Sequence, residues 1–322
     1  MSTSDKFVQM VIAVAIFYVV IGAILLLTQR LRSRAGERVQ TAAFLGPSVL
    51  LICIGLLYPA IVTVWQSLHG ASSFDPPWVG LDNYKKLFTD KQQLTVLRNT
   101  LLWVILTPIV STGIGLVYAV LVDRIRFERI AKALMFLPIA ISMVAASIIW
   151  KFVYAYRSGE ADQIGLLNQI LVWLHVDPYN FLLNDPWNTF FLIVILIWIQ
   201  AGFAMTILSA SIKAIPDDIV EAARLDGVGG WKMFRFITVP SIRPSLIVVL
   251  TTITIATLKV FDIVQTATGG NFNTSVLAYE FYRQNFIAGN QGIATAIAVV
   301  IFALVIPVVI YNIRQMRKLE AR

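Results

Sequence analysis

The sequence predicts an all-α polytopic membrane protein with about seven transmembrane helices. Its 322 residues are 58% hydrophobic and only 14% charged, and the mean hydropathy is +0.76. A soluble domain is closer to half apolar and a quarter charged. Apolar runs of about 20 residues recur along the chain, and each is long enough to cross a hydrocarbon layer of ~30 Å. Basic residues cluster in the short segments between these runs, as is typical of polytopic membrane proteins.

The apolar runs predict seven membrane spans, at 8–28, 43–67, 99–122, 131–155, 189–212, 244–264 and 290–312. The first run is too long for a cleaved signal peptide, no net positive charge precedes it, and an Arg-rich segment follows it. We therefore interpret residues 1–42 as a retained transmembrane anchor with a cytoplasmic linker. Residues 43–322 then form one membrane domain, in which residues 213–243 are a cytoplasmic loop.

The distribution of Lys and Arg predicts the orientation of the chain. Of the 26 basic residues, 17 fall on one side of the predicted spans and seven on the other. Cytoplasmic loops keep the excess of Lys and Arg, so the N-terminus is expected outside and the C-terminus inside. The same asymmetry accounts for the net charge of +8, so the charge does not indicate nucleic-acid binding.

A polar island at residues 216–240 separates two long apolar segments. Pro216 suits the first position of a helix, and Asp217 and Asp218 favour the positive end of its dipole. Gly227 suits a left-handed C-cap. The predicted helix of about 11 residues is too short to be stable alone in water.

This helix carries features that a docking partner could use. Ala222 and Ala223 are small enough for close approach, while Glu221 and Arg224 are three residues apart and therefore neighbours on the helix surface. A short helix with a small-residue face suits docking in a groove of another protein. An ordinary amphipathic loop helix explains the same residues equally well, so the residues alone leave both interpretations open.

A longer pattern carries a resemblance to a known family. Glu221-Ala222-Ala223 is followed by Gly227 and, after nine residues, by Ile237-Thr238-Val239-Pro240. The pattern resembles the EAA loop of binding-protein-dependent ABC importer permeases, with Val239 in place of the usual Leu. Further segments are similar to the sugar-permease branch: Gly80–Tyr84, Asn99–Trp103, Phe136–Pro138, Ala145–Trp150, Gly165–Asn168, Phe261–Asp262, Thr268–Gly270 and Tyr282–Phe286.

The resemblance covers about residues 43 to 315 and is closest to the larger maltose-permease subunit. A weaker likeness to α-glucoside permeases comes from the extra N-terminal span and Lys151–Gly159. The resemblance to ABC importer permeases implies a type I ABC importer permease core plus one extra N-terminal helix, in a bacterial or archaeal cytoplasmic membrane. The implied partners are a second homologous permease, two ATP-binding subunits, an extracytoplasmic solute-binding protein, a carbohydrate substrate and membrane lipid.

In that family the short helix lies in a cleft of the ATP-binding subunit. The residues that the resemblance assigns to this coupling are Glu221, Ala222, Ala223, Asp226 and Gly227. The sequence contains no Gly-x-x-x-x-Gly-Lys-Ser/Thr phosphate loop, so ATP and Mg are expected in the partner and no cofactor in this chain. No nucleophile–base arrangement predicts catalysis, and no metal site is expected because His69 and His175 are isolated.

Two stripes of residues are candidates for the solute pathway. Ile199, Gln200 and Phe203 share one face of the fifth predicted span, and Ile253, Thr257 and Val260 share one face of the sixth. Gln200 would lie near mid-membrane, where its amide could both donate to and accept from a hydroxyl. The resemblance matches these stripes to sugar-contacting positions, although Thr257 and Val260 replace asparagines. Alternatively, the polar side chains only bond between packed helices.

Lys259 and Asp262 are three residues apart near the outer end of the sixth span. They form either an ion pair at the interface, with Lys259 extended toward water, or a polar rim at an outer gate.

Other functions remain as alternatives. The chain could import a peptide, an amino acid or phosphate instead of a sugar. A self-sufficient secondary transporter would show two similar halves or paired intramembrane ion ligands, and a membrane enzyme would show a reactive cluster; the sequence shows neither.

Overall fold

A computed structural model describes residues 34–71, 76–122, 126–158 and 162–320, with a few further positions between 8 and 22. The described helices are, in order, α1 (Arg34–Ile52), α2 (Tyr58–Ser67), α3 (Asp82–Thr89), α4 (Lys91–Val122), α5 (Glu128–Phe136), α6 (Met143–Val153), α7 (Leu166–Trp173), α8 (Trp187–Lys213), α9 (Asp217–Leu225), α10 (Gly230–Met233), α11 (Val239–Ser241), α12 (Arg243–Leu258), α13 (Asp262–Ala267), α14 (Leu277–Tyr282) and α15 (Gln291–Glu320). The all-α prediction is confirmed for this part of the chain.

Four helical stretches are long and apolar enough to cross a membrane: Phe44–Ser67, Lys91–Val122, Trp187–Lys213 and Gln291–Arg317. Two bent pairs raise the number to six, if each pair is one span: Glu128–Ala140 with Met143–Val153, and Gly230–Ser241 with Arg243–Leu258. These six correspond to the six predicted spans from 43–67 to 290–312. The predicted span at 8–28 lies mostly outside the described residues.

The chain divides into two compact units, residues 1–65 and 66–322. In the first, α1 continues through a π-helical segment, Cys53–Leu57, toward α2. The most apolar window of Phe44–Ser67 contains no buried residue. In the second unit, α4 and α8 pack along each other and α12 packs against α4 and α15. The division at residue 43 that the sequence suggests stays a prediction.

The bend between α5 and α6 has a local cause. Leu137–Ala140 form a 3-10 turn that contains Pro138, and the backbone is extended at Ile141 and Ser142. The Ser142 hydroxyl then accepts a hydrogen bond from the backbone N–H of Ala145, which caps the new helix. The axes of the two halves consequently differ by 105°.

Two glycines allow close helix crossings. At Gly202 of α8, an added Cβ would lie 2.3 Å from the Met135 carbonyl oxygen, and at Gly115 of α4 it would lie 2.5 Å from the Ala204 Cβ. The helix α8 continues unbroken through Gly202, so this residue permits close approach, not unwinding. At Gly113, by contrast, an added Cβ meets nothing within 4 Å.

Candidate coupling and solute-contact sites

The polar island folds as predicted into a short capped helix, α9. Pro216 is its N-cap and not, as predicted, its first residue, and Asp217 and Asp218 occupy its first turn. Gly227 has φ +73°, and the backbone N–H groups of Gly227 and Val228 donate to the carbonyls of Arg224 and Ala223, each at 3.0 Å. This is the Schellman arrangement, in which glycine adopts the left-handed conformation without a steric penalty.

The two alanines of α9 do not share an exposed face. Ala222 is exposed, whereas Ala223 is buried with 7% of its surface accessible. Adjacent residues on a helix point about 100° apart, which explains why one faces the permease and the other faces away. Glu221, Asp226 and Gly227 are exposed. Both Glu221 and Arg224 are described, and the structure records no ion pair between these two neighbouring residues.

Sequence reasoning missed a set of apolar side chains beside these residues. Leu225, at the end of α9, is 88% exposed, and Trp231 and Phe236 are 72% and 67% exposed. Large apolar side chains grouped on a polar loop mark an interaction surface. Its exposure follows from the burial of Ala223, because Leu225 is two residues further along and therefore lies on the opposite face of the helix.

The base of the coupling loop is tied to α5 by charged side chains. Glu128, the first residue of α5, accepts hydrogen bonds at Oε1 from Lys132, at 2.8 Å, and from Lys213, the last residue of α8. Lys132 also donates to the Ser209 hydroxyl. A cavity of about 580 Å³ lies between these residues and α9, and its walls include Glu128, Lys213 and Arg224. The connection into α9 is therefore held at Lys213 by its hydrogen bond to Glu128, and the cavity lies between this contact and α9.

The candidate solute residues divide into two groups. Ile199, Ile253, Thr257 and Val260 are at most 4% exposed and belong to the packed interior. The Thr257 hydroxyl donates to the Ile253 carbonyl at 2.7 Å. Gln200 and Phe203 are partly exposed, and within the described part of the chain the Gln200 amide has no hydrogen-bond partner. Only these two could contact a solute without a rearrangement of the helices.

Lys259 and Asp262 lie on either side of a helix break. α12 ends at Leu258 and α13 begins at Asp262, so the two residues are not one turn apart on a continuous helix. Both are described, and the structure records no ion pair between them. The ion-pair interpretation is therefore wrong, whereas the outer-gate interpretation stays a prediction.

The segment between α13 and α15 contains a buried carboxylate that sequence reasoning missed. Glu280 of α14 is 0% exposed and accepts hydrogen bonds from Gln93, Arg283 and Gln284, at 2.7–2.9 Å. Burial alone would raise the pKa of Glu280, but the hydrogen bonds, that of Arg283 foremost, hold it below its usual value. The cluster joins α14 to the start of α4.

A second polar clamp holds the loop between α13 and α14. The Asn99 amide donates to the carbonyls of Asn273 and Ser275, at 2.5 and 3.1 Å, and the Asn188 amide donates to that of Phe272 at 2.7 Å. Phe272 and Asn273 have positive φ angles of 55° and 58°. Such a conformation persists only when the surroundings fix it, and the two asparagines provide that restraint.

Residues 95–318 match the model of a protein family described as the binding-protein-dependent transport system inner membrane component. This match includes the bent helices, the capped loop helix and, of the buried polar cluster, Glu280, Arg283 and Gln284. The chain belongs to this family. It is therefore a multi-pass inner-membrane permease subunit that works with a solute-binding protein, and it is not itself catalytic.

Individual members of the family are closely similar to this permease. The osmoprotective compounds uptake permease protein of Synechocystis sp. is 47% identical over 277 residues, which are 86% of this chain and 99% of the relative. The alpha-glucoside transport system permease protein of Rhizobium meliloti is 46% identical over 282 residues, 87% and 83% of the two chains. A trehalose/maltose permease of Thermococcus litoralis is 32% identical over 269 residues, 81% and 88% of the two chains.

The fold of the permease is that of solved ABC importers. A subunit of a bacterial transporter that imports the acidic polysaccharide alginate superimposes with a TM-score of 0.74 at 23% identity, covering 89% of this chain and 99% of that one. A methionine transporter subunit superimposes with a TM-score of 0.51 at 17% identity, covering 71% of this chain and 98% of that one. At these identities the likeness concerns the fold alone.

Proposed function

We propose that this permease imports a carbohydrate, either a di- or oligosaccharide, a glycoside or a related polyol, as one of two non-identical permeases above two ATP-binding subunits. The observation that carries the proposal is the exposed, Schellman-capped helix α9, which ends at the exposed Leu225 and is followed in the chain by the exposed Trp231. A short helix with exposed apolar side chains needs a partner groove. The relatives that are 47% and 46% identical, named for osmoprotective compounds and alpha-glucosides, support the substrate class.

ATP and Mg would be bound by the partner subunits, and this chain needs no cofactor of its own. Glu221, Ala222, Asp226 and Gly227 are exposed and would contact the ATPase directly. Ala223 is buried, so it would act by seating the helix on the permease. The Glu128–Lys213 contact would then pass the movement of α9 to the bent helix pair α5 and α6.

The solute would pass along α8 and α12. Gln200 and Phe203 offer an amide and an aromatic face at a partly exposed position, as a sugar ring with hydroxyls requires. Ile199, Ile253, Thr257 and Val260 would reach the solute only after α12 moves relative to α8. The break at 259–261 permits such a movement, and Lys259 and Asp262 border it as an outer rim.

Solute-stimulated ATP hydrolysis tests this proposal. We expect the purified complex of both permeases and the ATP-binding subunits, with its solute-binding protein, to hydrolyse ATP faster when an α-glucoside such as maltose or trehalose is added. Amino acids and peptides should have no effect. The permease reconstituted alone should neither hydrolyse ATP nor accumulate solute. Uptake by the isolated chain, or stimulation by an amino acid only, would contradict the proposal.

The orientation of the termini can be tested separately. The distribution of Lys and Arg places the N-terminus outside and residues 29–42 in the cytoplasm. A membrane-impermeant thiol reagent should therefore label Ser4→Cys in intact cells and leave Ser33→Cys unlabelled until the cells are broken. The exposed Cys53 should first be replaced by Ser so that each variant carries one thiol. The opposite labelling pattern would reverse the topology.

A further inference from the structure

A groove of about 380 Å³ runs along the surface between α5 and α8. Ala133, Phe136, Met205 and Ala210 give it an apolar wall. The rest of its lining is Thr206, Ser209, Lys132 and Lys213. Both lysines contact the same Glu128 oxygen, so their ammonium groups are held together at the end of the groove where α8 terminates. The groove therefore combines an apolar length with a cationic end.

A second cavity of about 570 Å³ adjoins this cationic end and shares Lys213 with the groove. Arg126 and Arg129 line it together with Glu128. Across the described lining residues of both cavities, four basic side chains face one carboxylate. Among these described residues the net charge is therefore positive.

The position of the groove relative to the membrane limits what can fill it. The sequence places Lys213 immediately after the span 189–212, at the membrane boundary. The neighbouring face of α5 and its 3-10 turn is apolar and exposed: Ile130, Leu134 and Leu137 are 60–65% accessible. An apolar groove that opens on such a surface faces acyl chains, and its cationic end lies at the depth of the phosphates.

We propose that this groove binds an anionic phospholipid of the inner leaflet. Its phosphate lies against Lys213, Lys132 and the neighbouring arginines, and one acyl chain lies along Phe136 and Ala210. Glu128 is compatible with this role, because its carboxylate brings two ammonium groups together without cancelling the local charge excess. Basic clusters beside transmembrane helices recognise anionic headgroups in this way.

Native mass spectrometry of the whole transporter complex tests the proposal by counting bound lipids. The complex should retain phosphatidylglycerol in preference to phosphatidylcholine when both are added. Lys213→Gln should weaken phosphatidylglycerol binding by about fivefold, as expected for one basic residue at an anionic surface. Ala210→Trp fills the groove without changing its charge, and it should lower the occupancy of the same lipid.

Arg314→Gln is the matched control. It removes one exposed cation at the end of α15, and it should leave lipid occupancy unchanged. Lys213→Arg should retain binding, and the size of each complex should be checked. If the complex that carries Lys213→Gln fails to assemble, the lipid occupancy of the Ala210→Trp complex tests the proposal.

The proposal is overturned by equal retention of the two lipids, by wild-type occupancy in both groove variants, or by a cross-link from position 210 to the partner permease. Full displacement of the lipid by inorganic phosphate would also overturn it, because the acyl chain would then contribute nothing. Lipid counting needs no solute, so these outcomes are independent of the carbohydrate assignment.

Discussion

Replacing Gly227 by Leu is expected to lower solute uptake by the reconstituted transporter by between about fivefold and a hundredfold, the range over which sites are commonly coupled. Gly227 has φ +73°, where a side chain with a Cβ costs about 1–2 kcal/mol. The strain would break the hydrogen bonds from Gly227 and Val228 and would redirect the chain that leaves α9. Binding of the solute-binding protein on the opposite membrane face should stay nearly intact.

Gly229→Leu is the matched control for this variant. Gly229 is two residues away and has φ −70°, and an added Cβ there meets no atom within 4 Å. The control adds the same side chain to the same loop without backbone strain, so it should transport much better than Gly227→Leu. Solute-stimulated ATPase activity and uptake are the measurements, after assembly has been checked by size.

Charge reversal at Glu221 tests the same helix without backbone strain. Glu221 is exposed and forms no ion pair with Arg224, so Glu221→Lys should leave α9 folded and disturb only its contact with the ATPase. Uptake should fall while the stability of the isolated chain is unchanged, and Glu221→Gln should be less affected than Glu221→Lys. If Gly227→Leu and Glu221→Lys both assemble and transport at the wild-type rate, α9 is not the coupling element.

The sequence predicts the membrane helices and the loop helix well because both depend on local signals. Apolar run length predicted six spans, four of which the structure reproduces within about five residues. The bent pair from Gly230 to Leu258 is displaced toward the N-terminus relative to the predicted 244–264, and Lys91–Val122 begins eight residues early. The early start of Lys91–Val122 has a local cause. Asp90 accepts hydrogen bonds from the backbone N–H groups of Gln92 and Gln93, which caps the helix before the apolar run begins.

Features that depend on tertiary contacts were not accessible from the sequence. A hydropathy window treats 131–155 and 244–264 as straight spans, whereas the structure breaks one at 137–142 and the other at 259–261. The ion pair expected between Lys259 and Asp262 assumed a continuous helix, and it fails for this reason. Glu280 was missed because its partners include Gln93, which is 187 positions away in the sequence.

The solute residues illustrate a different limit. A helical stripe identifies a face but cannot tell whether that face meets another helix or a pathway. Ile199, Gln200 and Phe203 share one stripe, yet Ile199 is only 4% exposed while the other two are partly accessible. Which of the three contacts a solute depends on the partner permease and on the transport state, so these assignments stay predictions.

Replacing Gly115 by Ala should destabilise the isolated permease strongly, whereas the same change at Gly113 should not. A Cβ at position 115 would lie 2.5 Å from the Ala204 Cβ and 2.7 Å from the Met205 backbone nitrogen. Neither atom belongs to the end of a flexible side chain, so α4 and α8 would have to separate. Overpacking of this kind costs about 1–3 kcal/mol. The thermal midpoint of the purified chain in detergent is the measurement.

Gly113→Ala separates this packing cost from helix propensity. Both glycines lie within α4, and each Ala substitution gains up to about 1 kcal/mol of helix propensity. At Gly113 the added methyl meets nothing within 4 Å, so the gain is not offset and the midpoint should stay constant or rise. Because the propensity gain is common to both variants, they should differ by the packing cost alone, about 1–3 kcal/mol in the free energy of unfolding. Equal midpoints would mean that α4 and α8 do not cross as closely as Gly115 requires.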